Sequence, residues 1–478
     1  MAKRPSREFP ACPPQVADAG SVGSRISRRA ILKAAAAPAL LPRESARFVR
    51  LKRIDGVWWL ITAQGKPKIS LGVNHAEAGL MLAPYNRQAT LDRYGADFVT
   101  ADGAFNPTGQ RARKWVNQIL ADLEDWGMNA LGFHNGLPRP LFKDRLFFFQ
   151  PVNSYWLTPY GRPTEYPDVF SEETAGRIDR TAREVCQTYR NEPNLIGYVY
   201  NDRPFYNLGG GPQGKRLPVH PWVEALRKLG PEAPGKQEWV ALLRRRHADA
   251  KSAASAHGFE AAKWEELLAR TDWPNPEETS LPDKDAFLPG IVERWYELHW
   301  KAIRRYDPNH LIFGDKLGGG FAPDGRRLDA HPNIPAYQYA VLAKYVDAVL
   351  LEWYGRYDDQ KQVFANIHRA TGKPILLGDS SFARLQPRQE TTKGVRVDSQ
   401  VAVGEEYARY LEQALRDPFV LGWHYCGYVE GWTVPGRKTL FQEQNGFKDP
   451  FERVHEESVS LVRKANRQAG KWHGLAKA

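Results

Sequence analysis

Residues 195–202 read Leu-Ile-Gly-Tyr-Val-Tyr-Asn-Asp, six uncharged residues and then two polar side chains at the end. A strand covered on both faces is a continuous apolar run rather than an alternating one. Seven further runs have this character: ISLGVN (69–74), MNALGFHN (128–135), LFFFQPVN (146–153), HLIFGDKL (310–317), VDAVLLEWYG (346–355), PILLGDSS (374–381) and VLGWHYCG (420–427). Helical patterns separate most of them, among them ARKWVNQILADLEDWG (112–127), AGRIDRTAREVCQTYR (175–190) and YARYLEQALRD (407–417). Strands alternating with helices predict βαβ units and a parallel sheet. Eight such units closing on themselves predict an α/β fold, a (β/α)8 TIM barrel, with a doubly wound open sheet as the alternative.

Working outward, RFVRLKRI (47–54) and VWWLITA (57–63) flank Asp55-Gly56, a pair favoured in two-residue turns, so a short N-terminal β-hairpin precedes the barrel. Residues 203–300 form a long excursion after the fourth strand. It opens with the Gly/Pro-rich NLGGGPQGKRLPVHP (207–221), continues as a charged helical stretch, and predicts a helical insertion at the barrel mouth. The barrel domain is expected over 48–470. Residues 1–47 are set apart: Ser27-Arg28-Arg29-Ala30-Ile31-Leu32-Lys33 followed by AAAAPALL (34–41) has the order of a twin-arginine export signal, which predicts a periplasmic or secreted bacterial protein.

Composition narrows the classes. Of 478 residues, 67 are Lys or Arg and 55 Asp or Glu, a formal charge of +12. The basic residues are scattered, with no stripe or motif of a nucleic-acid binder. No apolar run reaches the length of a membrane span. Three cysteines, Cys12, Cys186 and Cys426, are too few for a disulfide framework. No metal-binding spacing is present, and LGGGF (317–321) lacks the strand–turn–helix context of a dinucleotide loop, so neither metal nor cofactor is expected. The 15 Trp, 20 Tyr and 21 Phe are mostly core material, but open aromatic faces also stack on sugar rings.

In such a barrel, polar residues at the C-terminal strand ends face the active site. These are Asn74, His75, His134, Asn135, Asn201, Asp202, Asp315, Glu352, Tyr354, Asp379, His424 and Glu430. Arg203, Lys316 and Arg356 are the cations that could pair with some of these acids. Asp202 closes the fourth strand and Asp379 the seventh, and two opposed carboxylates are what glycosidic hydrolysis requires.

RNEPNLIGYVYND (190–202) resembles the stretch of the large retaining glycosidase clan in which an Asn-Glu pair closes strand four. TGKPILLGDSSFA (371–383) is similar to the strand-seven stretch that ends in the nucleophile. With DGVWWLITAQGKPKISLGVNH, LEDWGMNALGFHNG, YDPNHLIFGDKL, YVDAVLLEWYG and VLGWHYCGY in the same order, the chain from about 50 to 465 resembles glycoside hydrolase family 50, the β-agarases, and more distantly family 42 β-galactosidases. The resemblance implies a carbohydrate substrate, with Asp202 as general acid and Asp379 as nucleophile or base. It further implies Asn201 on the sugar 2-hydroxyl and Tyr354 orienting Asp379. His75, His134, Trp353, Trp423, His424 and Trp432 would line sugar sites, with Asn74, Asn135, Glu352, Tyr425 and Glu430 beside them. Both family Glu positions are Asp here, a strand-eight Trp aligns with Tyr425, and a strand-six Asn aligns with Glu352. Two shortened side chains predict a wider gap and hence an inverting course, with Asp379 as base on a water. The alternatives are a carbohydrate-binding barrel without turnover, and a lyase or transglycosidase.

Overall fold

The computed structural model describes residues 47–158, 163–204, 220–274, 277–318, 320–321, 327–328, 336–387, 389, 394–434 and 445–474. The twin-arginine segment lies outside them. The chain opens with β1 (Arg50–Ile54), β2 (Val57–Ile61) and β3 (Pro67–Lys68), an antiparallel sheet. Asp55 and Gly56 both have positive φ, 47° and 85°, as a tight hairpin turn demands.

The barrel strands follow. They are β4 (Ser70–Asn74), β5 (Ala130–Leu131), β6 (Phe148–Pro151), β7 (Leu195–Asp202), β8 (Leu311–Gly318), β11 (Val349–Glu352), β12 (Ile375–Ser380) and β15 (Val420–Cys426). Between them lie two small pairs, β9 (Gly320–Phe321) with β10 (Arg327–Leu328) and β13 (Phe382–Ala383) with β14 (Val395–Arg396). The order in the large sheet is β5-β4-β15-β12-β11-β8-β7-β6, all parallel. Leu131 and Phe147 donate their amides to Phe147 and Asn129 at 2.8 and 2.9 Å, joining the two outer strands and closing the barrel. The eight apolar runs are therefore the eight barrel strands, and β7 spans the same eight residues as the opening motif.

Helices surround the strands because each presents one apolar stripe inward. In α2 (Gln110–Asp125), Trp115, Val116, Ile119, Leu120 and Leu123 are buried. Capping fixes where they begin: Ser171 accepts the amide of Thr174 at α3 (Glu172–Tyr189), and Ser399 that of Ala402 at α11 (Gln400–Arg416). The described part of the excursion after β7 is helical, from Pro221–Arg227 through Pro234–Arg246, Ala250–Ala256 and Trp264–Ala269. The last helix of this region, Glu277–Tyr306, is continuous and leads through the turn Asp307–His310 into β8, so one rod ties insertion to barrel.

Inside the barrel, Phe149, Ile196, Val199, Leu311, Phe313, Leu350, Leu376 and Leu421 form a dry core, joined by Val49 and Leu60 of the hairpin. The hairpin thus seals one mouth of the barrel. The strand-end acids lie at the other mouth.

Candidate active site

Four consecutive strands supply the centre of the open mouth. Asp202 of β7 lies in register with Lys316 of β8, and Glu352 of β11 with Asp379 of β12. The ammonium of Lys316, with a side chain 0% exposed, gathers them all. Its Nζ is 2.9 Å from Asp202 Oδ1, 2.8 Å from Glu352 Oε2, 2.9 Å from Asp379 Oδ2 and 2.9 Å from His134 Nε2. Arg203 adds a second cation, 3.0 Å from Glu352 Oε1. His134 Nε2 is 3.2 Å from Asp202 Oδ2, and the Tyr354 hydroxyl donates to Asp379 Oδ1 at 3.0 Å.

Burial alone would raise both aspartate carboxyls, but the Lys316 ammonium, followed by His134, overcomes it and holds both below the usual carboxylate range. Lys316 itself, which burial would discharge, is pushed up by Asp202, Asp379 and Glu352 and stays an ammonium. The cationic position of the site is occupied by the protein's own side chain, and no residue here is assigned to a metal.

Two shortened side chains predict a wider gap, yet both carboxylates reach one ammonium. Oδ1 of Asp202 and Oδ2 of Asp379 share one Nζ at 2.9 Å each, so they lie no further apart than twice that distance. The physical reason is that attraction to a common ammonium draws both carboxylates to one point.

The backbone is strained where it leaves this face. His75 and Arg203, each the first residue after a barrel strand, have φ of 56° and 43°. Arg203 is held there by donating its amide to Lys316 O at 2.8 Å. A Cβ on Gly318 would stand 2.4 Å from Arg203 Nε, so glycine makes room for the guanidinium.

Other residues singled out by the sequence divide into two groups. His75 stacks on His134 with ring centroids 5.0 Å apart, and its Nδ1 is 3.1 Å from Glu77 Oε1. Asn201 accepts the amide of Leu157 at 3.2 Å, while its buried Nδ2 has no hydrogen-bond partner among the described residues and can still donate. Glu430 accepts from Trp432 Nε1 at 3.1 Å and Gln386 Nε2 at 3.2 Å, with His455 Nε2 at 2.9 Å. Glu430 and Trp432 line a rim cavity of about 530 Å³ with Arg384, Phe451 and Arg453.

The second group is structural. Asn74 donates to Gly378 O at 2.8 Å and accepts from the His134 amide at 3.1 Å, strapping three strands together. Asn135 turns back to Gly132 O at 3.1 Å. Trp353 packs on Phe364, Trp423 on Tyr407 and Tyr410, and Tyr425 on Phe447, all in the layer between strands and helices. His424 points into the barrel against Phe149 and is 2.8 Å from Ser70 Oγ; burial lowers its pKa to about 3. Asp315 faces outward, accepting from Trp295 Nε1 at 3.3 Å. The expectation that Trp353, Trp423, His424 and Tyr425 line sugar sites is therefore corrected: they are core. Lys316 is the reverse case, expected only as a structural partner and found at the centre.

The fold and this mouth define a (β/α)8 barrel with carboxylates at the ends of strands four and seven. No family model matches the chain. Beta-agarase B of Vibrio sp. (strain JT0107) is 21% identical over 352 residues, covering 71% of this chain and 34% of its own length. Among solved structures, an agarase, AgWH50C, superposes with a TM-score of 0.66 at 17% identity, covering 90% of this chain and 66% of that one. An exo-beta-agarase gives 0.67 at 18%, with the same coverage. The chain spans about a third of the curated relative and about two thirds of these solved chains. At these identities the likeness is one of fold, and it agrees with the barrel read from the sequence.

Proposed function

We propose that the protein is a glycoside hydrolase acting on a galactan-type polysaccharide or its oligosaccharides. The observation that carries this reading is the pair of opposed carboxylates, buried Asp379 and partly buried Asp202, at the open mouth of a barrel whose core is largely apolar. Similarity to β-agarases supplies the substrate class. Asp379, held ionised by Lys316 and oriented by Tyr354, is the nucleophile; Asp202 is the acid; Asn201 offers Nδ2 to a sugar hydroxyl. Two carboxylates that meet at one ammonium, each by one oxygen at 2.9 Å, favour the shorter carboxyl separation of retaining enzymes, and with it direct attack by Asp379 and retention of configuration. The test is incubation with agar, galactan and arabinan oligosaccharides, reading new reducing ends and, by NMR, the first-formed anomer. A first product of inverted configuration would remove Asp379 from the nucleophile role.

A second reading, a carbohydrate-binding barrel without turnover, is favoured by one observation: Asp202 is ion-paired and charged in the empty site, the opposite of a resting acid. Binding without sugar release would decide for it.

Trp432 and Phe451, with ring centroids 5.7 Å apart, give the rim cavity an aromatic wall suited to a sugar unit beyond the cleavage point. Trp432→Ala is expected to raise KM for long oligosaccharides roughly three- to tenfold and leave kcat unchanged, as the loss of uniform binding does. Equal KM values for parent and variant on long chains would count against a subsite there.

Export through the twin-arginine pathway is part of the proposal. Replacing Arg28 and Arg29 by Lys should strand the protein in the cytoplasm, and undiminished periplasmic yield would refute it. In the described residues no helix is long and apolar enough to cross a membrane.

A further inference from the structure

We propose that Lys316 is a positioning residue that keeps Asp202 charged in the empty site and yields it to a proton only as a sugar enters. Ligand binding would then take up one proton. The inference rests on the reading of Asp202 as the acid.

An ammonium has three hydrogens. Three carboxylate oxygens, from Asp202, Glu352 and Asp379, and His134 Nε2 lie around Nζ of Lys316. Of these contacts the one to Asp202 Oδ1 is the least aligned: at 2.9 Å it is an ion pair, but this oxygen has no hydrogen-bond partner among the described residues, while Oδ2 lies 3.2 Å from His134 Nε2. The other partners are better placed. Asp379 receives a hydrogen bond from Nζ at 2.9 Å and a second from Tyr354 at 3.0 Å, and Glu352 is shared with Arg203 at 3.0 Å. Moving Asp202 away from Nζ gives up an ion pair and the His134 contact but leaves the ammonium with Asp379 and Glu352, whereas moving Asp379 breaks two aligned hydrogen bonds.

Among the described residues, the groups that face Asp202 are few. Lys316 comes from β8 and His134 from the loop after β5, with His75 stacked behind the imidazole and paired with Glu77. Glu352 and Asp379 lie across the ammonium on β11 and β12, with Tyr354 beyond them and Arg203 beside Glu352. Counting Lys316 and Arg203 against three carboxylates leaves the cluster with one surplus negative charge, which a proton on Asp202 would cancel.

A glycosidic oxygen is an acceptor without a hydrogen. Placed against the ionised carboxylate of Asp202 it faces another acceptor, and the approach becomes favourable when a hydrogen lies between them. That proton comes from solvent, to which the Asp202 side chain is 17% exposed. It passes to the leaving oxygen as the glycosidic bond breaks and is regained from the water that hydrolyses the intermediate. Asp379, locked by two donors, stays ionised throughout. The unequal hydrogen bonding thus decides which of two aspartates becomes the acid.

The consequence is a split between two pH profiles. Because kcat/KM reports the free enzyme, it should fall about tenfold per pH unit from acid through neutral pH, while kcat, which reports the occupied site, holds level to higher pH. In Lys316→Met the ammonium is gone, burial pushes the Asp202 carboxyl up, and the kcat/KM plateau should extend at least one pH unit further, whatever the loss in absolute rate. Lys316→Arg keeps the charge and should keep the parent's slope, which a merely structural lysine would not predict. Infrared difference spectra of each protein against its Asp202→Asn version supply a readout that needs no sugar. The parent should show only an ionised Asp202, and Lys316→Met a protonated one near neutral pH. Titration of the parent with agarohexaose in two buffers of different ionisation heat should show uptake of one proton. A protonated Asp202 in the empty parent, or identical kcat/KM profiles for parent and Lys316→Met, would overturn the inference. A parent that turns over no galactan would sink the hydrolase reading alone, since the infrared comparison still decides whether Lys316 holds Asp202 charged.

Discussion

Asp379→Asn is expected to lower turnover at least about a hundredfold, and about a thousandfold or more if the residue attacks the sugar directly. The amide keeps the shape of the side chain and can still accept from Tyr354, so the barrel should fold. Lys316 would keep Asp202 and Glu352, so no buried charge is stranded. What disappears is the one oxygen that can form a bond to carbon or deprotonate water. Asp202→Asn should be as damaging on substrates with poor leaving groups and far less so on activated aryl glycosides, whose leaving group needs no proton. Equal losses on both substrate types would place Asp202 outside the acid role and direct attention to Glu77, the carboxylate beside His75.

The largest effect on stability is expected at Gly422. It pairs with Ser70 where β15 meets β4, has a φ of 145°, and a Cβ built there would lie 2.0 Å from Ser70 O and 2.8 Å from Ser70 N. Those are backbone atoms of a closed barrel, so neither side can yield without opening the ladder. Gly422→Ala should cost on the order of 4 kcal/mol or more, the exceptional end for a single substitution. Gly79, with nothing within 4 Å of its Cβ position, is the control, and Gly79→Ala should stay within about 0.5 kcal/mol. Denaturant midpoints compare them; similar midpoints for the two variants would mean the strands can separate there at little cost.

How far the sequence carried the reading follows from what a strand shows of itself. LIGYVYND and its seven counterparts are visible because a strand buried on both faces has no polar residue until it leaves the barrel, and β7 ended where the motif did. The same continuity hid which face each aromatic takes. Trp423 and Tyr425 sit two apart and share the outward face, while His424 between them points into the barrel. Alternation along the strand could have separated them, but not which parity faces in. Lys316 was hidden for another reason. A lysine at a strand end is ordinarily solvated, and only the pairing of β7 with β8 and β11 with β12, which the sequence does not encode locally, sets it between two acids. The convergence of the two carboxylates was hidden in the same way: side-chain length was legible, and the ammonium that draws them together was not.

Whether these carboxylates cut glycosidic bonds is decided by reducing-end release from agarose and galactan oligosaccharides by the parent beside Asp379→Asn. New reducing ends are expected with the parent, and at least about a hundredfold fewer with the variant at equal protein. Oligosaccharides bound by both proteins and released intact by both would contradict it, and would leave a barrel that holds sugars without cutting them.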